Sequence, residues 1–474
     1  MPGRDQEEDV AGGESALFTE AAAPTGAAAS IDAAQAMTSV GRWLAEQPRA
    51  VFMAYAIAAS FSTYFCMYAF RKPFAVAVYA GQTALPVVGP IDDKIVFIIA
   101  QVLGYCVSKF AGIKVVSEMT AARRGLAIAI ANFTAWTALV LFAIVPPALR
   151  PLCLFLNGLP LGMVWGLVFG FLEGRRTSDG LGAALCASFI VASGFVKSVG
   201  RWVMIDWGVS ELWMPAVVGA LFLAPILAFI VMLAQIPPPS PDDERERSAR
   251  RPMDAAARRR FFAATWPGLV LLTGAYVLLT AYRDFRDNFA REIWDALGYA
   301  DAPEILTTAE IPVAFGSLVA VAICMGIRDS RKALLFVHAM LAAGALLIGV
   351  STLAHAAGLI GPAGWMVAVG LGLYMGYVPY NCVLFDRLIP ALGMVATAGF
   401  LIYFTDAFGY LGSVLLLLYK NFGHPHLSWL GFFTAFSHAT AWLGVVLFAG
   451  SALYFARRSR DVSPAGVVDG ARRP

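Results

Sequence analysis

Apolar residues run in long stretches near positions 51–79, 94–116, 124–146, 151–173, 181–206, 212–236, 264–291, 305–327, 333–356, 363–387, 393–419 and 428–456. A hydrocarbon core of ~30 Å takes a helix of roughly 20 residues, so each stretch predicts one membrane-spanning helix. The widest polar interval, 237–263, falls between the sixth and the seventh stretch. It opens with Pro237-Pro238-Pro239, continues as Asp242-Asp243-Glu244 and closes with Arg258-Arg259-Arg260. The pattern divides the chain into a tail over 1–48, six spans over 49–236, a charged linker over 237–263, six spans over 264–456 and a tail over 457–474. The expected fold class is an all-α polytopic membrane protein of twelve helices in two six-helix halves.

Basic residues give the spans a direction. They sit in the first tail (Arg4, Arg42, Arg49), the 2–3 loop (Arg123, Arg124), the 4–5 loop (Arg175, Arg176) and the central linker from Arg245 to Arg260. They recur in the 8–9 loop (Arg328, Arg331, Lys332), the 10–11 loop (Arg387) and the last tail (Arg457, Arg458, Arg460). In the opposite loops Arg150 and Lys420 are the main exceptions. The positive-inside rule then puts both termini in the cytoplasm of a plasma or bacterial inner membrane. The first tail has acids at Glu7, Glu8, Asp9 and Glu14 where a signal peptide needs a basic start. It is expected to be disordered and cytoplasmic, with an amphipathic turn around Val40–Leu44.

Composition agrees. The chain is 59% apolar and 14% charged with a net charge of +3, and its mean hydropathy is +0.69. Water is the wrong solvent for it, and the small charge excess argues against a nucleic-acid partner. The expected partners are a small solute and the lipid bilayer, around a monomer. Cys66, Cys106, Cys153, Cys186, Cys324 and Cys382 are scattered inside apolar stretches and read as packing residues. With no Walker loop, GxSxG or HExxH, neither a cofactor nor a metal is expected, and an enzyme is not the expected class.

Ionisable residues inside a bilayer cost about 2.5–3.5 kcal/mol each, so depth marks candidates. Arg71 lies about twenty residues, or ~30 Å, into span 1. The run Phe74–Tyr79 beyond it predicts that the helix continues, bent at Pro73. Lys109 falls near the middle of span 2 and Asp406 near the middle of span 11, beside Tyr403 and Phe404. Lys197 and Arg201 share one face of span 5, as binding residues or interface anchors. Span 7 ends in Arg283, Asp284, Arg286, Asp287, Arg291 and Glu292. Either Arg283–Asp287 and Asp287–Arg291 neutralise an exposed helix, or one arginine, held by a neighbouring Asp, faces Arg71. The pattern F-R-x-x-F-A recurs at equivalent places, as Phe70-Arg71 to Phe74-Ala75 in span 1 and Phe285-Arg286 to Phe289-Ala290 in span 7. Tyr68 precedes the first and Tyr282 the second.

These residues carry a resemblance. Over residues 50–456 the chain resembles major facilitator superfamily transporters, and within them the organophosphate:phosphate antiporters of the glycerol-3-phosphate transporter type. The likeness rests on Tyr68-Ala-Phe-Arg71-Lys72-Pro-Phe-Ala75, on Gly104-Tyr-Cys-Val-Ser-Lys109-Phe110, and on Ala398-Gly399-Phe400 with Phe408-Gly-Tyr-Leu-Gly412. It implies an anion clamp of Arg71 and either Arg283 or Arg286, with Lys109 close by. The superfamily's loop signatures would place gating roles on Glu118 and Arg123 after Gly112, and on Asp329 and Arg331 after Gly326. The family's span-5 histidine is absent, Val191 standing there. The expected function is secondary transport of a phosphate ester, phosphate or carboxylate, by anion exchange if the arginines are uncompensated. If Asp406 neutralises the cavity, proton coupling is the alternative. A transporter-like sensor or scaffold without flux is the rival of a different class.

Overall fold

The computed structural model describes residues 38–460 apart from 86–88, 176, 241–242, 244–254, 328, 395, 397 and 425. The expected disorder of the first tail and most of the charged linker and last tail thus lie outside the described residues. Among the described residues eleven helices are long and apolar enough to cross a membrane, and a bent pair, counted as one span, makes twelve. Spans 1–4 are Arg49–Phe70, Asp93–Gly112, Ala122–Ile144 and Pro147–Phe169; spans 5 and 6 are Gly180–Asp206 and Met214–Ala234. Spans 7–9 are Arg259–Asn288, Ile305–Met325 and Ser330–Ala356. Span 10 is Pro362–Cys382 followed, across a 55° bend, by Leu384–Ala391; spans 11 and 12 are Ala398–Gly423 and Trp429–Arg458. The protein is an integral, multi-pass, all-α membrane protein.

Perimeter and centre differ as a bilayer requires. Ile130 and Phe133 on span 3, Phe315 on span 8 and Val446 on span 12 are exposed, which is the stable placement when lipid is the solvent. Spans 1–6 meet spans 7–12 mainly where span 2 packs on span 11 and span 5 on span 8. Glycine allows a close crossing of spans 2 and 4. A Cβ on Gly104 of span 2 would fall 2.2 Å from the Phe155 carbonyl of span 4, and one on Gly158 would fall 2.2 Å from that of Gln101. Small residues of this kind let membrane helices touch backbone to backbone. The crossing brings Gln101 and Asn157 together.

One local expectation is corrected, and further local features emerge. Span 1 does not continue as an α-helix to Tyr79: it ends at Met67, and two 3₁₀ turns follow, Tyr68–Phe70 and Pro73–Val76. Pro73 has no N–H, and in a continued α-helix its ring would clash with the carbonyl four residues back, that of Ala69. At span 7 the α-helix begins at Ala255, so it reaches into the interval assigned to the linker. Between spans 1 and 2 an antiparallel hairpin pairs Gln82–Leu85 with Gly89–Asp92, which apolar run lengths did not reveal. Around Val40–Leu44 the helix Ser39–Glu46 is capped by Thr38; it buries Leu44 and exposes Val40 and Trp43.

Candidate functional site

The break in span 1 frees backbone carbonyls in the middle of the bundle, where no water is at hand to satisfy them. Side chains do so. Gln101 Nε2 donates to the Arg71 carbonyl at 2.9 Å, and Asn157 Nδ2 donates to the Phe70 carbonyl at 2.9 Å. Gln101 also donates to Asn157 Oδ1 at 2.7 Å, so spans 2 and 4 hold the broken end as one unit. With its backbone fixed there, Arg71 sends its side chain to the interior and is 2% exposed.

Arg71 Cζ lies 3.8 Å from the centre of the Tyr105 ring, 5.8 Å from that of Tyr410 and 5.9 Å from that of Tyr68. A guanidinium stacked on an aromatic face is favoured electrostatically, the more so when desolvated. Among the described buried cations, Arg71 and Lys420 have no carboxylate within 4.0 Å. Lys420 lies in the final turn of span 11 against Trp429, whereas Arg71 is central. The Nε of Arg71 is buried without a hydrogen-bond partner.

Arg283 of span 7 approaches the same Tyr410 ring, its Cζ 5.5 Å from the centre. It donates to Tyr410 Oη at 3.0 Å and to Tyr377 Oη. Its counter-ion is its own neighbour: Nη2 reaches Asp284 Oδ1 at 2.7 Å. Arg286, the residue that the repeat matches to Arg71, lies elsewhere. It pairs with Glu310 of span 8 at 2.7 Å and donates to the Met366 carbonyl of span 10 at 3.1 Å. Gly370 makes room for it, since a Cβ there would sit 2.8 Å from Nη2.

The other candidates are paired. Lys109 meets Asp406 at 2.8 Å, joining span 2 to span 11, and Tyr276 donates to the same carboxylate. Lys72 meets Asp287 at 2.5 Å and donates to Asn288 Oδ1 at 2.9 Å. Lys197 of span 5 also pairs with Asp287, and Arg201 pairs with Asp295 at 3.4 Å. The span-7 acids are therefore not the exposed, self-neutralised set that i, i+4 spacing offered. Arg283 and Asp284 are buried, and Asp287 pairs with spans 1 and 5. Together with Lys94–Glu292 and a 2.8 Å bond from Arg291 to the Val76 carbonyl, these contacts tie the two sets of spans at the face opposite the termini. The space between spans 5, 7, 8 and 10 is ≈ 10 Å³, room for one water at most.

The loop-signature residues lie apart from this core. Arg123 is exposed near the start of span 3, and Asp329 caps span 9 by accepting from the Lys332 N–H at 2.7 Å. Arg331 is half-buried at the same helix end, and the side chain of Glu118 lies outside the described residues. Sequence reasoning passed over Gln101, Asn157, Tyr105, Tyr377, Tyr410 and Glu310. The signal available was polarity: an amide or an acid within an apolar span needs a partner.

A family model described as "Family of unknown function (DUF5690)" matches residues 73–458. No curated protein matches the chain. Among solved structures, a D-xylose-proton symporter aligns with a TM-score of 0.55 at 13% identity, covering 85% of this chain and 96% of that one. A peptide transporter POT variant in complex with sulfate gives 0.54 at 14% identity, over 87% and 96%. The same transporter in complex with alafosfalin gives 0.55 at 14%, over 87% and 96%. At these identities the likeness establishes the fold, that of major facilitator transporters.

Proposed function

The chain belongs to DUF5690, a family of unknown function, and on its fold and core chemistry we propose that it is a secondary active transporter moving a small anionic solute by alternating access. One observation carries the anionic assignment: the central, buried guanidinium of Arg71 has no carboxylate partner. Burying an unpaired charge costs several kcal/mol, and a bound anion removes that cost. A planar guanidinium suits carboxylate, phosphate or a phosphate ester, to which it donates two parallel bonds. The phenols of Tyr105, Tyr410 and Tyr68 wall this position. Transport itself is supported by the fold shared with a proton-coupled sugar symporter and a peptide transporter. Moving Arg71 through an occluded state while empty keeps its charge unpaired, which favours exchange of one anion for another.

A second reading, proton coupling, is favoured by the Lys109–Asp406 pair, which joins the two sets of spans and can be opened by protonating the carboxylate. One preparation of proteoliposomes tests both. Vesicles preloaded with phosphate, a carboxylate or a phosphate ester should show counterflow of the same anion, strongly impaired in Arg71→Lys, because an ammonium loses the planar fork. Full counterflow in Arg71→Lys and in Arg71→Gln removes the anionic assignment. Uptake driven by a pH gradient, present in wild type and lost in Asp406→Asn, assigns proton coupling. Binding without flux of either kind assigns a sensor.

A further inference from the structure

Adjacent residues on a helix point to different faces, and i, i+1 side chains do not ordinarily meet. Arg283 and Asp284 nevertheless do, through Nη2 at 2.7 Å and Nε at 3.2 Å, both on the same oxygen, Oδ1. The other oxygen, Oδ2, is buried without a partner, in a residue 3% exposed. A carboxylate in the interior ordinarily fills both oxygens, because an orphaned acceptor carries its full desolvation cost. Its partner Arg283 and Arg71 both lie within 6 Å of the Tyr410 ring centre, at 5.5 and 5.8 Å, so Asp284 belongs to the same group of charges as the open guanidinium. The Lys72–Asp287–Lys197 group beside it is already bonded internally, with Asn288 and Ser193 as further partners.

The anion position is therefore built from two guanidiniums and one resident carboxylate. We propose that Asp284 is a specificity-determining residue that sets the valence of the transported anion: with its charge in place the site takes a singly charged anion in preference to a doubly charged one. The inference rests on the reading of Arg71 as the anion contact. Its physical basis is simple. The two guanidiniums and the carboxylate sum to one positive charge, which a monoanion cancels, whereas a dianion leaves a second negative charge buried without a partner. The unpartnered Oδ2 adds a preference for a ligand that brings a hydrogen-bond donor, such as a hydroxyl, with its anionic head.

The test uses the full chain in detergent and four probes in two matched pairs: butyrate against succinate, and dimethyl phosphate against methyl phosphate at pH 8. Either head chemistry then reports on charge alone. Wild type should bind the monoanion of at least one pair no more weakly than its dianion. In Asp284→Asn the dianion-to-monoanion affinity ratio should rise at least tenfold, while Asp284→Glu, which keeps the charge, should stay within threefold of wild type. An unchanged ratio in Asp284→Asn overturns the proposal, as does a wild-type preference for the dianion in both pairs. That wild-type measurement stands even if Asp284→Asn does not fold. Arg71→Gln separates the two layers. If binding of every probe is absent or indifferent to Arg71→Gln, the anion reading itself fails; if binding depends on Arg71 while the ratio ignores Asp284, only the valence inference fails.

Discussion

The same six-residue pattern ends two helices of this protein and produces two different environments. In span 7 the α-helix runs on to Asn288, and the buried Arg286 meets Glu310 and the Met366 carbonyl, paired by charge and hydrogen bond. In span 1 Pro73 follows the arginine, the helix gives way to 3₁₀ turns, and Arg71 turns inward onto Tyr105 without a carboxylate. The arginine that shares the Tyr410 ring with Arg71 is Arg283, three positions before the repeat's match. Equivalence in a repeat is equivalence of position along the chain. Whether an arginine is a structural ion or an open binding group depends on the backbone that follows it and on which helix offers an acid.

The contrast predicts a hierarchy of effects. The largest belongs to the paired arginine. Glu310→Ala leaves Arg286 buried and uncompensated, and breaking a buried pair in this way costs about 3–5 kcal/mol. The thermal midpoint of the purified protein should fall steeply, and a midpoint unchanged within a degree would show that Arg286 is not held by Glu310. The open arginine should behave in the opposite sense. Arg71→Gln removes an unpaired buried charge, so the ligand-free midpoint should hold or rise while anion binding weakens by about one to two decades. The second figure follows from charge-assisted hydrogen bonds worth about 1.5–3 kcal/mol. Should Arg71→Gln destabilise the empty protein as Glu310→Ala does, the two arginines are alike and the comparison collapses.

The smallest effect tests the cause. Pro73→Ala restores the N–H and removes the ring that blocks a bond to the Ala69 carbonyl four residues back. Tertiary contacts from Gln101 and Asn157 still hold the carbonyls of Arg71 and Phe70. Stability should therefore change by no more than about 1 kcal/mol, with a few-fold loss of anion affinity as Arg71 shifts. Unaltered affinity would mean that the two amides, and not the proline, place the guanidinium.

The number of spans and their apolar perimeter were legible in the sequence, because lipid demands some twenty apolar residues for each crossing and leaves little freedom about where they fall. That Arg71, Lys109 and Asp406 stand at unusual depth was legible for the same reason, since a charge in an apolar run stands out in the sequence. What the sequence could not decide was the partner of each charge. Arg283, Asp284, Arg286 and Asp287 are four neighbours whose side chains fan out from one helix at about 100° per residue, so their fates rest on other spans, 90 residues along the chain for the Asp287–Lys197 contact and 127 for the Arg283–Tyr410 bond. Local spacing offered Asp287 to Arg283 and Arg291; packing gave it to Lys72 and Lys197. Coulomb energy in a poorly screened interior depends on distance through space, and only the tertiary structure sets that distance.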